Sequence, residues 1–211
     1  MASVKLIVGL GNPGAEYEFS PHNMGFAVVQ RLANRHAVRL TRKQWQSLCG
    51  KLELSVRQAG SGEESALWLI QPQTFMNLSG AAVKEWLVKT GSTPEEMLVI
   101  YDELDLPWGS IRIRPRGGSA GHHGLESIIG SIASPDFPRL RIGVAPERRG
   151  GDSVEYLLSP VKRSMRAEMD EIIDRAADAV ETILKHGVVK AMNQFNKRAP
   201  GAEPDSGEDK N

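Results

Sequence analysis

Ile7-Val8-Gly9-Leu10-Gly11-Asn12-Pro13-Gly14-Ala15-Glu16-Tyr17-Glu18-Phe19-Ser20-Pro21-His22-Asn23-Met24-Gly25-Phe26 is the stretch that decides the fold and chemistry of this chain. Gly9, Gly11 and Gly14 spell G-x-G-x-x-G after a short, apolar, partly β-branched run, Val4–Leu10, which reads as a strand. The literal motif is that of a dinucleotide-binding loop. Such a loop needs a helix at once after the turn, so that free N–H groups face the pyrophosphate. Here Pro13 removes one N–H from the loop, and Pro21 biases Ser20 toward an extended conformation, so the next helix start falls near His22. The motif also calls for an acidic residue about 20 positions on, for the ribose. None occurs between Glu18 and Glu53. A dinucleotide oxidoreductase is therefore disfavoured. The glycines are better explained by a tight turn at a strand end, where open α/β sheets place ligands.

The chain has 211 residues, enough for one domain with a sizeable core. No apolar run approaches the roughly 20 residues of a membrane span, and the N-terminal residues lead directly into a strand without a visible signal peptide. Cys49 is the single cysteine, which rules out an intrachain disulfide and a thiolate cluster and fits a reducing cytoplasm. Formal net charge is zero, but the tail Ala199–Asn211 holds Glu203, Asp205, Glu208 and Asp209 against Lys210. The body, residues 1–198, is correspondingly basic. The tail has no large apolar residue and is expected to be disordered.

Outward from the opening stretch the pattern is βαβ-like, which implies a largely parallel or mixed sheet covered by helices. The first helix is expected over Asn23–His36, with Phe26, Val29 and Ala33 facing inward. Two strands, Gly50–Gln58 and Ala66–Gln71, would flank a turn at Gly60-Ser61-Gly62. Ser79–Thr90 reads as a helix with Ser79 as N-cap and Gly91 as its stop. Met97–Tyr101 reads as a buried strand closed by Asp102, followed by a short strand at Ser110–Arg114, a helix at Gly124–Ile132 and a strand at Leu140–Val144. A long amphipathic helix is expected over Met165–Lys185, with Ile172, Ala176, Val180 and Ile183 inward, and a last one over Val188–Lys197.

Polar residues gather after the strands: Asn12 and His22, then Asn77 within Thr74-Phe-Met-Asn-Leu-Ser-Gly80, then Asp102, then the loop Gly117–Gly124 with His122 and His123. Parallel strands share one carboxyl edge, so these groups can converge. An imidazole, ordinarily titrating near roughly 6.5, can take a proton from water. A carboxylate on its other nitrogen fixes the tautomer and stabilises the imidazolium. Asparagine amides can hold a carbonyl or an oxyanion. His22 with Asp102, Asn12 and Asn77 would make a water-activating ester hydrolase. Plainer readings stand beside this: Asn12-Pro13-Gly14 as a simple turn, Asn77 and Ser79 as caps, Asp102 as a cap of the next segment. Ser79 lacks the glycines of a serine elbow, Cys49 lacks an activating signature, and adjacent His122-His123 have poor spacing for a metal.

Six stretches carry a resemblance: Leu6–Tyr17, His22–Phe26, Thr74–Gly80, Asp102–Pro107, Gly121–Leu125 and Phe137–Gly143. In order and spacing they resemble bacterial peptidyl-tRNA hydrolase, over roughly residues 4–198. The resemblance implies a single α/β domain, a mixed twisted sheet flanked by helices on both faces, and hydrolysis of the ester between peptide and tRNA. It implies His22 as general base and Asp102 as its orienting partner. Asn12 and Asn77 would position the substrate, Met76 and Tyr17 would line the cleft, and the loop with His122 and His123 would hold the peptide–CCA end. Arg114 and Arg141 would clamp tRNA phosphate, a role that suits the planar guanidinium fork, and Arg112, Arg116 and Arg139 could widen that patch. Neither metal nor cofactor is implied, and the expected state is a cytoplasmic monomer with peptidyl-tRNA as its partner.

The chain departs from the family pattern at two places. His123 stands where Asn is common, and Pro21 stands where many members have a basic residue. The competing reading is a non-catalytic RNA-binding protein on the same fold, such as an organellar splicing factor. The intact set of His22, Asp102, Asn12 and Asn77 argues against it.

Overall fold

The computed structural model describes residues 3–52, 67–146 and 152–196. Strands occupy β1 (Leu6–Gly9), β2 (Arg42–Gln44), β3 (Ser47–Leu52), β4 (Leu67–Pro72), β5 (Met97–Pro107), β6 (Ile111–Arg114) and β7 (Arg139–Ala145). The α-helices are α1 (Met24–Arg35), α2 (Ser79–Thr90), α3 (His123–Ile132), α4 (Ser153–Leu158), α5 (Arg166–His186) and α6 (Val188–Phe195). All these strands lie in one sheet, ordered β2-β3-β4-β1-β5-β7-β6. The central strands β4, β1, β5 and β7 run parallel, and β3 and β6 join antiparallel. The mixed sheet and single α/β domain expected from the sequence are present.

Alternation along each strand supplies two apolar faces. Ile7, Leu98, Ile100, Leu140 and Ile142 face α1, α5 and α6. Leu6, Val8, Ile70, Val99 and Tyr101 face α2 and α3, where Trp86, Leu125 and Ile128 meet them. A fully buried aliphatic side chain contributes about 1.5–3 kcal/mol relative to exposure, so these faces dominate helix docking. Arg31 and Arg35 of α1 also reach Asp170, Asp174 and Asp178 of α5. These pairs are solvent-accessible and add little each. Among the described residues no helix is long and apolar enough to cross a membrane.

Glycine matters most where β1 meets α1. A Cβ on Gly9 would lie 2.2 Å from the Gly25 carbonyl oxygen, and one on Gly25 would lie 2.3 Å from the Ile100 oxygen. Only two bare backbones can approach so closely. The Phe26 amide then donates to the Leu10 carbonyl at 3.1 Å, fastening the start of α1 to the end of β1. That contact brings His22 and Asn23 back beside the Asn12 loop.

Several local expectations need correction. Phe26 is only half-buried; the inward stripe of α1 is Met24, Val28, Val29, Leu32 and Ala33. Strand β3 starts earlier, at Ser47, and pairs with an unforeseen β2 through a two-residue turn. Trp45 and Gln46 both have positive φ there, at 46° and 55°. Such a turn favours Gly or Asn, and this one has neither, so the usual signal is missing. The turn at residues 60–62, the tail at 199–211 and the end of the predicted Gly50–Gln58 strand lie outside the described residues. Ser79 does not cap α2; it is the first helical residue, behind a 3-10 turn at Met76–Leu78. Its Oγ is buried with no hydrogen-bond partner among the described residues. Gly91 does terminate α2, in the left-handed region at φ 64°. Asp102 does not close β5, which continues to Pro107 through an irregular register after Glu103. Helix α4 was not foreseen; Asp152 caps it by accepting from the Val154 and Glu155 amides.

Candidate active site

The carboxyl edge of β1 and β4 and the middle of the long β5 border a cleft of about 650 Å³. Asn12, Tyr17, His22, Met76, Asn77 and Asp102 all line it, as do His122 and His123. Eight expected site residues, scattered over more than half the chain, thus meet in one cavity.

His22 lies in a 3-10 turn, Pro21–Asn23, just before α1. Pro21 opens that turn with a φ already suited to it. The ring is buried, and its Nδ1 lies 3.0 Å from each carboxylate oxygen of Asp102. An ionised carboxylate only accepts, so Nδ1 carries the proton. Nε2 is then the basic nitrogen, and it has no partner among the described residues.

Asp102 is 1% exposed and serves a second histidine. His122 Nε2 lies 3.2 Å from Asp102 Oδ1, while its Nδ1 accepts from the Leu125 amide at 3.3 Å. The acceptor role of Nδ1 places the His122 proton on Nε2, so Asp102 receives two N–H donors. Burial alone would raise the Asp102 carboxyl, but hydrogen bonds from His122 and His22 outweigh it and hold the group well below the usual carboxylate range. His122 packs against Tyr101 at a 4.9 Å ring separation. Burial pushes the Tyr101 phenol up to about 12, so it stays neutral there.

His22, Asp102 and His122 also have the spacing of a metal triad, with ligand atoms within 4.8 Å of one another. The tautomers oppose that use. A metal on His122 Nε2 would move the ring proton to Nδ1, where the Leu125 N–H already points. A metal on His22 Nδ1 would likewise protonate Nε2 and remove the base.

Asn12 is held from three directions. Its backbone N–H donates to Asn23 Oδ1 at 2.8 Å, and its carbonyl accepts from Asn23 Nδ2 at 2.9 Å. Its own Oδ1 accepts from the Met76 amide at 2.8 Å. These bonds fix which end of the amide is oxygen. Nδ2 is left as a donor with no acceptor among the described residues. In the sequence Asn23 is only the first residue of the expected helix Asn23–His36. Only its proximity to Asn12 reveals a clamp.

The other expected residues differ in their situation. Asn77 is exposed and Tyr17 half-buried on the cleft wall, while Met76 is buried. His122, expected at the peptide, has both ring nitrogens engaged inside the protein. His123 is exposed, with Nδ1 3.2 Å from Glu126 Oε2. Arg141 directs Nε and Nη2 to Glu103 Oε2 at 3.1 and 3.0 Å, so most of its fork is committed internally. Arg112 donates to the Asn196 carbonyl. Arg139 does not widen a surface patch: it is 1% exposed, and it donates to the Gly118 and Pro135 carbonyls. Arg114 is half-buried on the edge strand and itself engages other groups of the protein, and Arg116, just beyond it, is exposed.

The described geometry has close relatives. Residues 6–203 match the family model described as Peptidyl-tRNA hydrolase. A peptidyl-tRNA hydrolase of Solibacter usitatus is 45% identical over 93% of this chain and 96% of its own length. One of Koribacter versatilis is 44% identical over 97% of both chains. Among solved structures, peptidyl-tRNA hydrolase from Acinetobacter baumannii is 35% identical with a TM-score of 0.81, covering 95% of this chain and 98% of that one. The chain belongs to the peptidyl-tRNA hydrolase family.

Proposed function

We propose that this protein hydrolyses the ester between peptide and tRNA in peptidyl-tRNA, with His22 as general base. The observation that carries the reading is the His22–Asp102 pair. It leaves one basic nitrogen facing a cleft, with its tautomer set by a buried carboxylate. Family membership and the relatives at 44–45% identity support the substrate.

Water held by His22 Nε2 attacks the ester carbonyl carbon as its proton passes to the imidazole. Asp102 stabilises the resulting imidazolium. The carbonyl oxygen gains negative charge and takes a hydrogen bond from Asn12 Nδ2, whose orientation is set before substrate arrives. Collapse expels the ribose oxygen of the tRNA, which takes the proton back from His22 Nε2. The products are free peptide acid and tRNA, and the enzyme returns to its starting state. Asn77 and Tyr17 hold the peptide from the cleft wall, while Arg114, with Arg116, meets phosphate. Phosphate contacts of this kind supply affinity without sequence preference. His22 and Asp102 act without a metal, in a monomer.

Incubation with peptidyl-tRNA tests the reading. Release of free peptide, lost in His22→Ala, is the expected result. Binding without release would favour a non-catalytic RNA-binding protein.

A further inference from the structure

A second cavity, of about 510 Å³, is bordered by Asn12, Pro13, Gly14, Ala15, Glu18 and Phe19, while Tyr17 of the same segment borders the catalytic cleft. Asn12 borders both cavities, and its clamp Asn23 borders the second. Apart from Asn12, no group assigned to the hydrolysis lies in it. Its volume suits a ligand of nucleotide size.

Its walls combine three kinds of group. Phe19 is 37% exposed, and the Arg166 guanidinium stacks over its ring at 4.0 Å. Arg166 Nε is buried without a hydrogen-bond partner, and no carboxylate pairs with this side chain among the described residues. Gln30, Gln71 and Gln73 supply amides. Gln71 Nε2 already donates to the Phe26 carbonyl at 2.9 Å, which fixes its orientation and leaves Oε1 to accept. Glu18 adds a carboxylate acceptor, while Asp170 is already paired with Arg31 on the same wall.

A flat polar ring answers this set better than a peptide side chain does. Proteins read unpaired bases by stacking them on aromatic rings or guanidinium planes and pairing their edges with amides and carboxylates. Carboxylates accept from the exocyclic amino group of cytosine, and Arg or Gln donors serve its ring nitrogen and carbonyl oxygen. We propose that this cavity is a cytosine subsite, taking the base of a cytidine that precedes the terminal adenosine of a tRNA 3′ end. The assignment rests on reading the neighbouring cleft as the ester site. A strand crossing the Asn12–Phe19 segment would carry its ester to Asn12 Nδ2 on one side and its preceding base into this cavity on the other. Occupation would also brace Asn23, and through it Asn12.

The test compares one peptide esterified to adenosine alone, to the trinucleotide CCA and to whole tRNA, using the full-length protein and Arg166→Gln. The expected result is a KM raised roughly tenfold on the two longer esters, the scale of one lost base stack, with kcat/KM on the adenosine ester unchanged. Equal loss on all three esters, or loss on none, would overturn the subsite. Cytidine monophosphate titrated into the protein by NMR reads the site without turnover. Shifts at Phe19 and Gln30 that vanish in Arg166→Gln support the subsite, and none at millimolar nucleotide overturns it. A parent protein inactive on every ester would instead overturn the hydrolase reading, and the nucleotide titration would still decide the cavity.

Discussion

His22 and His122 share one carboxylate oxygen: Asp102 Oδ1 lies 3.0 Å from His22 Nδ1 and 3.2 Å from His122 Nε2. The ring centroids are 5.3 Å apart. The two histidines differ in what their remaining nitrogen does. His22 keeps Nε2 free, whereas His122 uses Nδ1 to accept from the first turn of α3. One imidazole is set up to react and the other to hold the carboxylate in place.

His22→Ala is expected to abolish peptide release while leaving the fold and tRNA binding largely intact. Single-turnover release, tRNA retention on a filter and a thermal melt check this. Near-parental release by the variant would remove His22 from the mechanism.

Asp102→Asn is expected to lower kcat by an order of magnitude or more, since the base loses control of its tautomer. The same residue makes a prediction about acid stability. Its folded carboxyl is held below the ordinary value near about 3.9, so the unfolded chain binds that proton more readily. The stabilisation is therefore present above about pH 4 and lost as pH falls below it. Urea midpoints taken stepwise through this range should fall more steeply for the parent than for Asp102→Asn. Parallel curves would contradict the assignment.

His122 has separable roles. His122→Asn retains a side-chain oxygen for the Leu125 amide but is too short to reach Asp102. A moderate loss of stability from the missing donor to the buried Asp102 carboxylate, with reduced kcat and an altered acidic limb of the pH–rate profile, is expected. His122→Ala loses the cap as well, at a further cost of about 1 kcal/mol. Melting temperatures and pH profiles of the two variants, measured together, distinguish cap from carboxylate contact.

Asn12→Asp keeps an acceptor for the Met76 amide and removes the Nδ2 donor. The variant is expected to fold and to lose on the order of 10²-fold in kcat, as for loss of one oxyanion donor. Asn23→Ala removes no group at the ester, yet it frees Asn12 from its clamp and should lower kcat by roughly tenfold through misplacement. Unchanged kcat in Asn23→Ala would show that the clamp is dispensable.

The arginines should divide by burial. Arg114→Ala is expected to raise KM for peptidyl-tRNA and reduce the salt slope of binding by about one unit. Arg139→Leu leaves the Gly118 and Pro135 carbonyls without their donor, at about 1–3 kcal/mol for each buried group. Its effect should appear in stability rather than in KM. A salt titration beside a thermal melt separates the two.

Much of this arrangement was legible in the chain. The apolar run before Gly9, the periodicity of α5 and the Gly91 stop all report local preferences, and local preferences are written in neighbouring residues. The breakdown of the dinucleotide reading was legible too, because Pro13 and Pro21 act on their own backbone. Asn12, His22, Asn77 and Asp102 could be chosen as polar residues following apolar strands. What they touch could not be read, since each bond joins residues far apart in sequence. His22 meets Asp102 across 80 positions and Asn12 meets Met76 across 64. The same holds for Asn23, which reads as the first residue of a helix and acts as a clamp, and for Arg139, which reads as a surface charge and lies buried among carbonyls. The two glycines that allow β1 and α1 to touch are visible in the sequence. The distance they permit, and hence which amide and which imidazole nitrogen remain free to react, is decided only by close packing in three dimensions.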